Sequence, residues 1–217
     1  MFGGLFMKVG IIGATGKVGR LIMNEALNEN MDVTAIVRNA SKLESDVPVI
    51  EKNAFDLTRD DLSQFDVVVN AFAAPLDDLD QHIQLGRVLI DALEGTDTRL
   101  IIVGGAGSLY SDDSKTTTLI DKSMVPDFAM PIAKAQNKNL EDIKASNQLN
   151  WTFISPSSFF DPEGQRTGNY RVGMNVVLTN SEGESYVSYP DYALALVKEI
   201  QNADFIKQHI TVVSEKA

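Results

Sequence analysis

Short continuous apolar runs alternate along the chain with longer segments whose apolar residues recur every three or four positions. "KVGIIG" from Lys8 is such a run, and behind it Val18, Leu21, Ile22, Ala26 and Leu27 share one helical face. The order predicted is strand, turn, helix. "DVTAIVR" from Asp32 is β-branched and apolar and reads as a second strand, with "VPVIEKN" from Val47 a weaker third. "FDVVVNAF" from Phe65 predicts a fourth strand, "HIQLGRVLIDALEG" from His82 a helix and "RLIIVGGAG" from Arg99 a fifth strand. "AKAQNKNLEDIKAS" is the next helix and "NWTFISPSSF" a sixth strand. After Phe160 the character changes: "DPEGQRTGNYRVG" is rich in turn formers, and a late helix, "PDYALALVKEIQNA", precedes a final strand, "HITVVS".

Continuous apolar strands separated by amphipathic helices imply right-handed crossovers and a parallel sheet covered on both faces. The expected fold is therefore α/β: a Rossmann-like doubly wound parallel sheet with helices on both faces and a small carboxyl-terminal segment, residues 156–217, that shapes a substrate pocket. Residues 1–217 read as one nucleotide-binding domain, with no repeat or long linker. Because "MKVGII" from Met7 reads as a natural beginning, residues 1–6 are expected to be an upstream start or an expression remnant. "MFGGLF" also lacks the basic start and cleavage site of a signal peptide.

Composition removes several function classes. No apolar run approaches the roughly 20 residues that cross a bilayer. The absence of cysteine excludes disulfides, thiolate zinc sites and thiol nucleophiles, and two isolated histidines leave little for a metal. A cytoplasmic location is expected. A net charge of -11 opposes nucleic-acid binding, which needs clustered Lys and Arg to release counterions from phosphate. What remains is a small-molecule site; composition does not set the oligomeric state, and a monomer or a homodimer is expected.

The first strand ends in "GATGKVG", a G-x-x-G-x-x-G spacing that marks either a dinucleotide turn or merely a crowded one. In the first reading Gly13 turns sharply off the strand, Gly16 lets backbone approach a pyrophosphate and Gly19 packs the helix on the sheet. Thr15, Lys17 and Val18 then contribute the amide groups and positive dipole end of the helix that begins near Lys17. The second strand ends in Val37, Arg38 and Asn39, where NAD-binding proteins usually place a carboxylate on the adenosine ribose. An arginine there can stack on adenine and pair with a 2′-phosphate, so NADPH is expected over NADH. The alternative is a solvated arginine at a strand end. Asp56, with the adjacent Leu57, could meet the adenine edge, or Asp56 could cap the helix beginning near Thr58. Small residues follow the fourth and fifth strands, at Ala71 and Ala73 beside Phe72 and at Gly104 and Gly105, where ligands lie in open α/β sheets.

"GATGKVG", "VRN", "NAF", "GGAGS" and "WTFISPSSFF", in this order, resemble the atypical short-chain dehydrogenase/reductase superfamily, in its NmrA-like, NAD(P)H-binding branch. The likeness covers nearly the whole chain. "LNWTFISPSSFFDPEGQRTGNYRVG" followed by "SYPDYALALVKEI" is similar more narrowly to the bacterial NADH-flavin reductase-like group and to biliverdin reductase B. That resemblance implies a flavin, quinone or other conjugated planar acceptor for hydride from NADPH. Its alternative is a regulator of the NmrA-like kind, which senses NADP(H) without chemistry. The superfamily's Tyr-x-x-x-Lys acid is missing: no tyrosine has lysine four residues later, and Met130 stands four before Lys134.

The remaining candidates are few. Ser108 and Tyr170 are the expected hydroxyl groups near the nicotinamide, with loop capping and a surface hairpin as the plainer alternatives. Pro156, Ser157 and Ser158 are expected to position the carboxamide through backbone groups. Phe159, Phe160 and Arg166 are expected to meet the acceptor, although the phenylalanines could equally be core, and Arg171 could pair with a carboxylate. Asp191 and His82 read as features of helix starts, and His209 carries no functional expectation.

Overall fold

The computed structural model describes residues 6–217; all but the last of residues 1–6, read above as an extension, lie outside them. The apolar runs become β1 (Lys8–Ile12), β2 (Asp32–Val37), β3 (Val49–Glu51), β4 (Val67–Asn70), β5 (Arg99–Val103) and β6 (Asn150–Ser155). The periodic segments become α1 (Lys17–Asn28), α2 (Arg59–Leu62), α3 (Gln81–Leu93), α4 (Met130–Ala145) and α5 (Tyr189–Asn202). Three short strands, β7 (Phe159–Asp161), β8 (Tyr170–Met174) and β9 (Tyr186–Ser188), precede the final β10 (Gln208–Ser214).

Eight strands make one sheet in the order β3-β2-β1-β4-β5-β6-β10-β8. Every neighbouring pair is parallel except β8 on β10. The side chains alternate between two cores, as the pleat requires. Val9, Ile11, Val67, Val69 and Ile101 face one way, onto Ile22, Met23 and Ala26 of α1 and Leu196 and Ile200 of α5. Ile12, Val68, Leu100 and Ile102 face the other way, onto Leu85 and Leu89 of α3 and Leu140 and Ile143 of α4. The doubly wound α/β reading is thereby established. From β1 the chain winds first through β2 and β3 and then back past itself to β4, so a crevice opens beyond the carboxyl ends of β1 and β4.

The segment after Ser155 departs from expectation. "NWTFISPSSF" is not one strand: the chain leaves the large sheet at Pro156, and β7 pairs instead with β9 in a separate two-stranded sheet. The turn-rich stretch contains β8, an edge strand lying antiparallel on β10. Both pairings are distant in sequence and lie on partly exposed chain, so neither leaves a continuous apolar run for periodicity to find.

Two buried polar contacts tie the sheet to its surroundings. At the amino end of β5, Arg99 donates to the Glu199 carboxylate (3.1 Å) and to the Glu199 carbonyl (2.7 Å), with both side chains almost fully buried. Burial pushes the Glu199 carboxyl up and the Arg99 guanidinium down, and their mutual attraction opposes both shifts. Between β6 and β10, the Ser155 hydroxyl donates to the Gly105 carbonyl (2.7 Å) and lies 2.8 Å from His209 Nε2. Its single proton is committed to Gly105, so the imidazole must carry its proton on Nε2 and donate. Burial holds that ring neutral, pushing its pKa down from 6.5 to about 3.

Arg99→Met leaves a buried carboxylate unpaired and is expected to lower the unfolding free energy by about 3–5 kcal/mol, read from urea denaturation; adding Glu199→Leu should restore most of the loss. The histidine makes a separate prediction about acid. An unfolded imidazole binds a proton below pH 6.5 while the native one stays neutral, so stability present above that pH is lost as the pH falls toward about 3. His209→Gln should show a shallower fall of melting temperature with pH across that window.

Candidate functional site

The glycine turn is built around one carbonyl oxygen, that of Gly13. Gly13 has φ +78, and a Cβ there would lie 2.7 Å from the Ala71 carbonyl oxygen. A Cβ on Gly19 would lie 2.1 Å from the Gly13 oxygen, so α1 can approach β1 this closely only with glycine at that position. Gly16 differs. Its Cβ would meet only the Gly13 oxygen, at 3.2 Å, and its backbone donates to the same oxygen (2.9 Å). As the N-cap of α1, Gly16 supplies no side-chain acceptor, and no acidic residue occupies the first turn. The amide groups opening α1 therefore have a positive dipole end and no side-chain cap, the arrangement that binds anions.

In front of that helix end lies a cavity of about 480 Å³. Gly16, Lys17 and Val18 form one end of it, and Ala71, Phe72 and Ala73, Gly104 and Gly105, and Pro156, Ser157 and Ser158 contribute from the ends of β4, β5 and β6. Phe160 closes it further on, its ring 4.1 Å from that of Tyr189, which also lines it. Four sequence-distant turns thus meet at one place. The remaining wall comes from the chain between β5 and α4, at Leu119, Met124, Val125 and Pro126, and from Ala129, Ile132, Ala133 and Gln136.

Other candidates lie elsewhere. Gly13, Thr15 and Gly19 shape the turn without lining the cavity. Arg38 is exposed at the end of β2 and forms no ion pair among the described residues; Asn39 beside it accepts from the Ser41 amide (2.9 Å). Asp56 is exposed in the short 3-10 turn Ala54–Asp56, and Leu57 is buried in the α3-side core. The helix cap expected of Asp56 belongs instead to Thr58, which forms a reciprocal capping box with Asp61.

Ser108 is buried with its hydroxyl on the Gly105 carbonyl (3.3 Å), away from the cavity wall. Tyr170 opens β8 and packs against the α1–α5 core, where burial pushes its phenol up. Arg166 is held by Glu25 of α1 at 2.8 Å, Arg171 donates to the Thr179 carbonyl rather than to a carboxylate, and Phe159 is exposed against Tyr186. None of these five lines the cavity. Asp191 explains the turn that carries Arg166. Fully buried at the start of α5, it accepts from the Thr167 amide (3.0 Å), the Thr167 hydroxyl (2.7 Å) and the Gly168 amide (2.8 Å).

Two lining residues escaped sequence reading. His82 is buried in the first turn of α3, where its Nε2 accepts from the Ala74 amide (3.4 Å); burial pushes its pKa down to about 4, so the ring is neutral. Gln136 presents an amide whose Oε1 is buried with no partner, beside Gly105. On α4 the cavity face is Ala129, Ile132, Ala133 and Gln136, while Lys134 is exposed on another face. Ile132 and Gln136 therefore hold the spacing that a Tyr-x-x-x-Lys pair would use. The signal for Gln136 was its i+3 and i+4 relation to Ala133 and Ile132, which becomes legible only once the helix face is known.

Residues 13–203 match the model of a family described as NAD(P)H-binding. YwnB of Bacillus subtilis (strain 168), an uncharacterized protein, is 48% identical over 211 residues, covering 96% of this chain and 99% of YwnB. The crystal structure of SP1627 from Streptococcus pneumoniae TIGR4, called "a putative NADH-flavin reductase", is 42% identical and superposes with a TM-score of 0.92 over 96% of this chain and 100% of that one. A Bacteroides thetaiotaomicron protein called a "putative epimerase" is 30% identical, with a TM-score of 0.83 over 98% of this chain and 99% of its own. With the family match running from the first glycine of the turn to just past the end of α5, the chain belongs to the NAD(P)H-binding family.

Proposed function

We propose that the protein is an NADPH-dependent oxidoreductase that delivers hydride to a flavin, quinone or similar conjugated planar acceptor. The observation that carries this reading is the continuity of one crevice, from the uncapped opening of α1 to an apolar wall on α4, large enough for two planar groups in contact. The residues fit a dinucleotide. Gly16, Lys17 and Val18 would hold the diphosphate, Ala71, Phe72 and Ala73 would leave room for the chain of the cofactor, and Gly104, Gly105, Pro156, Ser157 and Ser158 would receive its nicotinamide end. Arg38, Asn39, Asp56 and Leu57 would flank the adenosine, with Arg38 free to meet a 2′-phosphate. When bound, the reduced nicotinamide supplies the hydride.

The chemistry of the wall favours acceptors that need no fixed acid. Lys17, His82 and Tyr189 are its titratable side chains; Lys17 stands at the anion end, His82 is neutral, and burial raises Tyr189. A reduced flavin or hydroquinone anion can take its proton from water, whereas a carbonyl becoming an alkoxide benefits strongly from a positioned donor. The protein's part is to orient the two rings and to keep bulk water from between them. Ser108 and Tyr170 remain as candidates only if the loop of Gly105 or the strand β8 moves toward the cavity. The wall without an acid also suits a cofactor-sensing protein, and turnover decides between the two.

Calorimetric titration should find NADPH bound about tenfold more tightly than NADH, a difference of about 1.4 kcal/mol, and Arg38→Asp should remove or reverse it. Gly16→Asp should lose both nucleotides at a small cost in stability, since aspartate is a favoured N-cap while its Cβ, 3.2 Å from the Gly13 oxygen, requires the turn to give by a few tenths of an ångström. Undiminished NADPH binding by that variant would overturn the placement of the diphosphate. NADPH oxidation with riboflavin, FMN and menadione should exceed the Gly16→Asp control; no excess with any acceptor would sink the oxidoreductase reading.

A further inference from the structure

The charges around the cavity are sorted by end. At the α1 end stand the helix dipole and Lys17, with Arg38 just past the end of β2. At the α4 end no charged side chain lines the wall: Leu119, Met124, Val125, Pro126, Ile132 and Phe160 are apolar, and Gln136 offers an uncharged amide. The two arginines that sequence alone would send there, and one lysine of the chain between β5 and α4, are engaged elsewhere. Arg166 is paired with Glu25, Arg171 is turned to the Thr179 carbonyl, and Lys122 is paired with Asp112 at 3.1 Å.

The chain around this end is apolar and acidic. Ala73 and His82 both line the cavity, and the loop between them carries Asp77, Asp78 and Asp80 with no cation. The segment between β5 and α4 adds Asp112, Asp113, Asp121 and Asp127 against Lys115 and Lys122. Between these carboxylates stand bare apolar side chains: Leu76 is 86% exposed, Phe128 88% and Met124 61%. A negative approach lowers the local concentration of anions, and the chain as a whole carries -11. An apolar wall gains most from an uncharged ring system and gives a phosphate no partner to replace its water.

We propose that this end of the cavity selects an uncharged, apolar planar acceptor and disfavours one that carries a phosphate. The inference rests on the oxidoreductase reading for the word acceptor, but the selectivity is a property of binding and is measured without turnover. Gln136 supplies the polar contact: its buried Oε1 has no hydrogen-bond partner among the described residues, so it can accept from a ring N–H.

Riboflavin and FMN share one ring system and differ by the phosphate, so their binding to protein saturated with NADP+ isolates the charge. Titration followed by flavin fluorescence should give riboflavin a dissociation constant at least about fivefold below that of FMN, with the gap narrowing at high salt. Met124→Lys, which adds a cation at the exposed edge of the wall, should close much of the gap. FMN binding as tightly as riboflavin, absence of binding by both, or an unchanged ratio in Met124→Lys would overturn the proposal. Riboflavin preferred, with no NADPH oxidation by riboflavin, FMN or menadione, would leave this selectivity standing and remove the oxidoreductase reading instead.

Discussion

The Gly13 carbonyl oxygen is the point on which the site is built. It accepts the Gly16 amide, and the α carbon of Gly19 sits so near that a methyl group there would collide with it. Those contacts bring α1 down onto β1 and aim its opening turn across the crevice between β1 and β4. If α1 stood off by the width of a side chain, its amide groups would lose their direction relative to the turns after β4, β5 and β6. The uncapped helix end and the packing of the first crossover are one structure, which is why the three glycines do different work while sharing a motif.

The opposite wall is positioned by buried polar groups remote from the glycine turn. His209 orients Ser155, Ser155 holds the Gly105 carbonyl, and Tyr192 of α5 donates to the Ile154 carbonyl (2.7 Å) one residue earlier on β6. Ser157 is fixed in turn by the Val212 carbonyl (2.7 Å). The two loops expected to receive the nicotinamide are therefore tied to β10, the last strand in the chain. Asp191 does the same for the turn at Thr167 and Gly168. Such groups stabilise because each buried donor finds an acceptor, and a single substitution that leaves one unpaired costs more than the bond itself.

Much of the fold was legible. β1, β2, β4 and β5 are buried on both faces, so their runs are continuous, and α1, α3 and α5 each have one apolar face at helical spacing. The glycine turn, the alanines after β4 and Gly104–Gly105 could be placed because the carboxyl ends of the strands are where an open sheet leaves space. The substrate end was less legible. Arg166, Tyr170 and Phe159 were reasonable from residue type, but a side chain's chemistry does not say which way it points, and Glu25 and the α1–α5 core claim two of them. Gln136 was invisible for the complementary reason, being an ordinary helix residue until its face is known.

Local pattern, carried by periods of two and of about 3.6 residues and by glycine where a Cβ would collide, was enough to determine a parallel α/β sheet with an uncapped helix end behind its first strand, because those constraints act between residues close in sequence. Which side chains wall the far end of the cavity, which cations are already paired and which helix face replaces the tyrosine and lysine are settled by contacts between segments scores of residues apart. Only the assembled tertiary structure decides those, since each depends on the distance and direction between elements that no local spacing encodes.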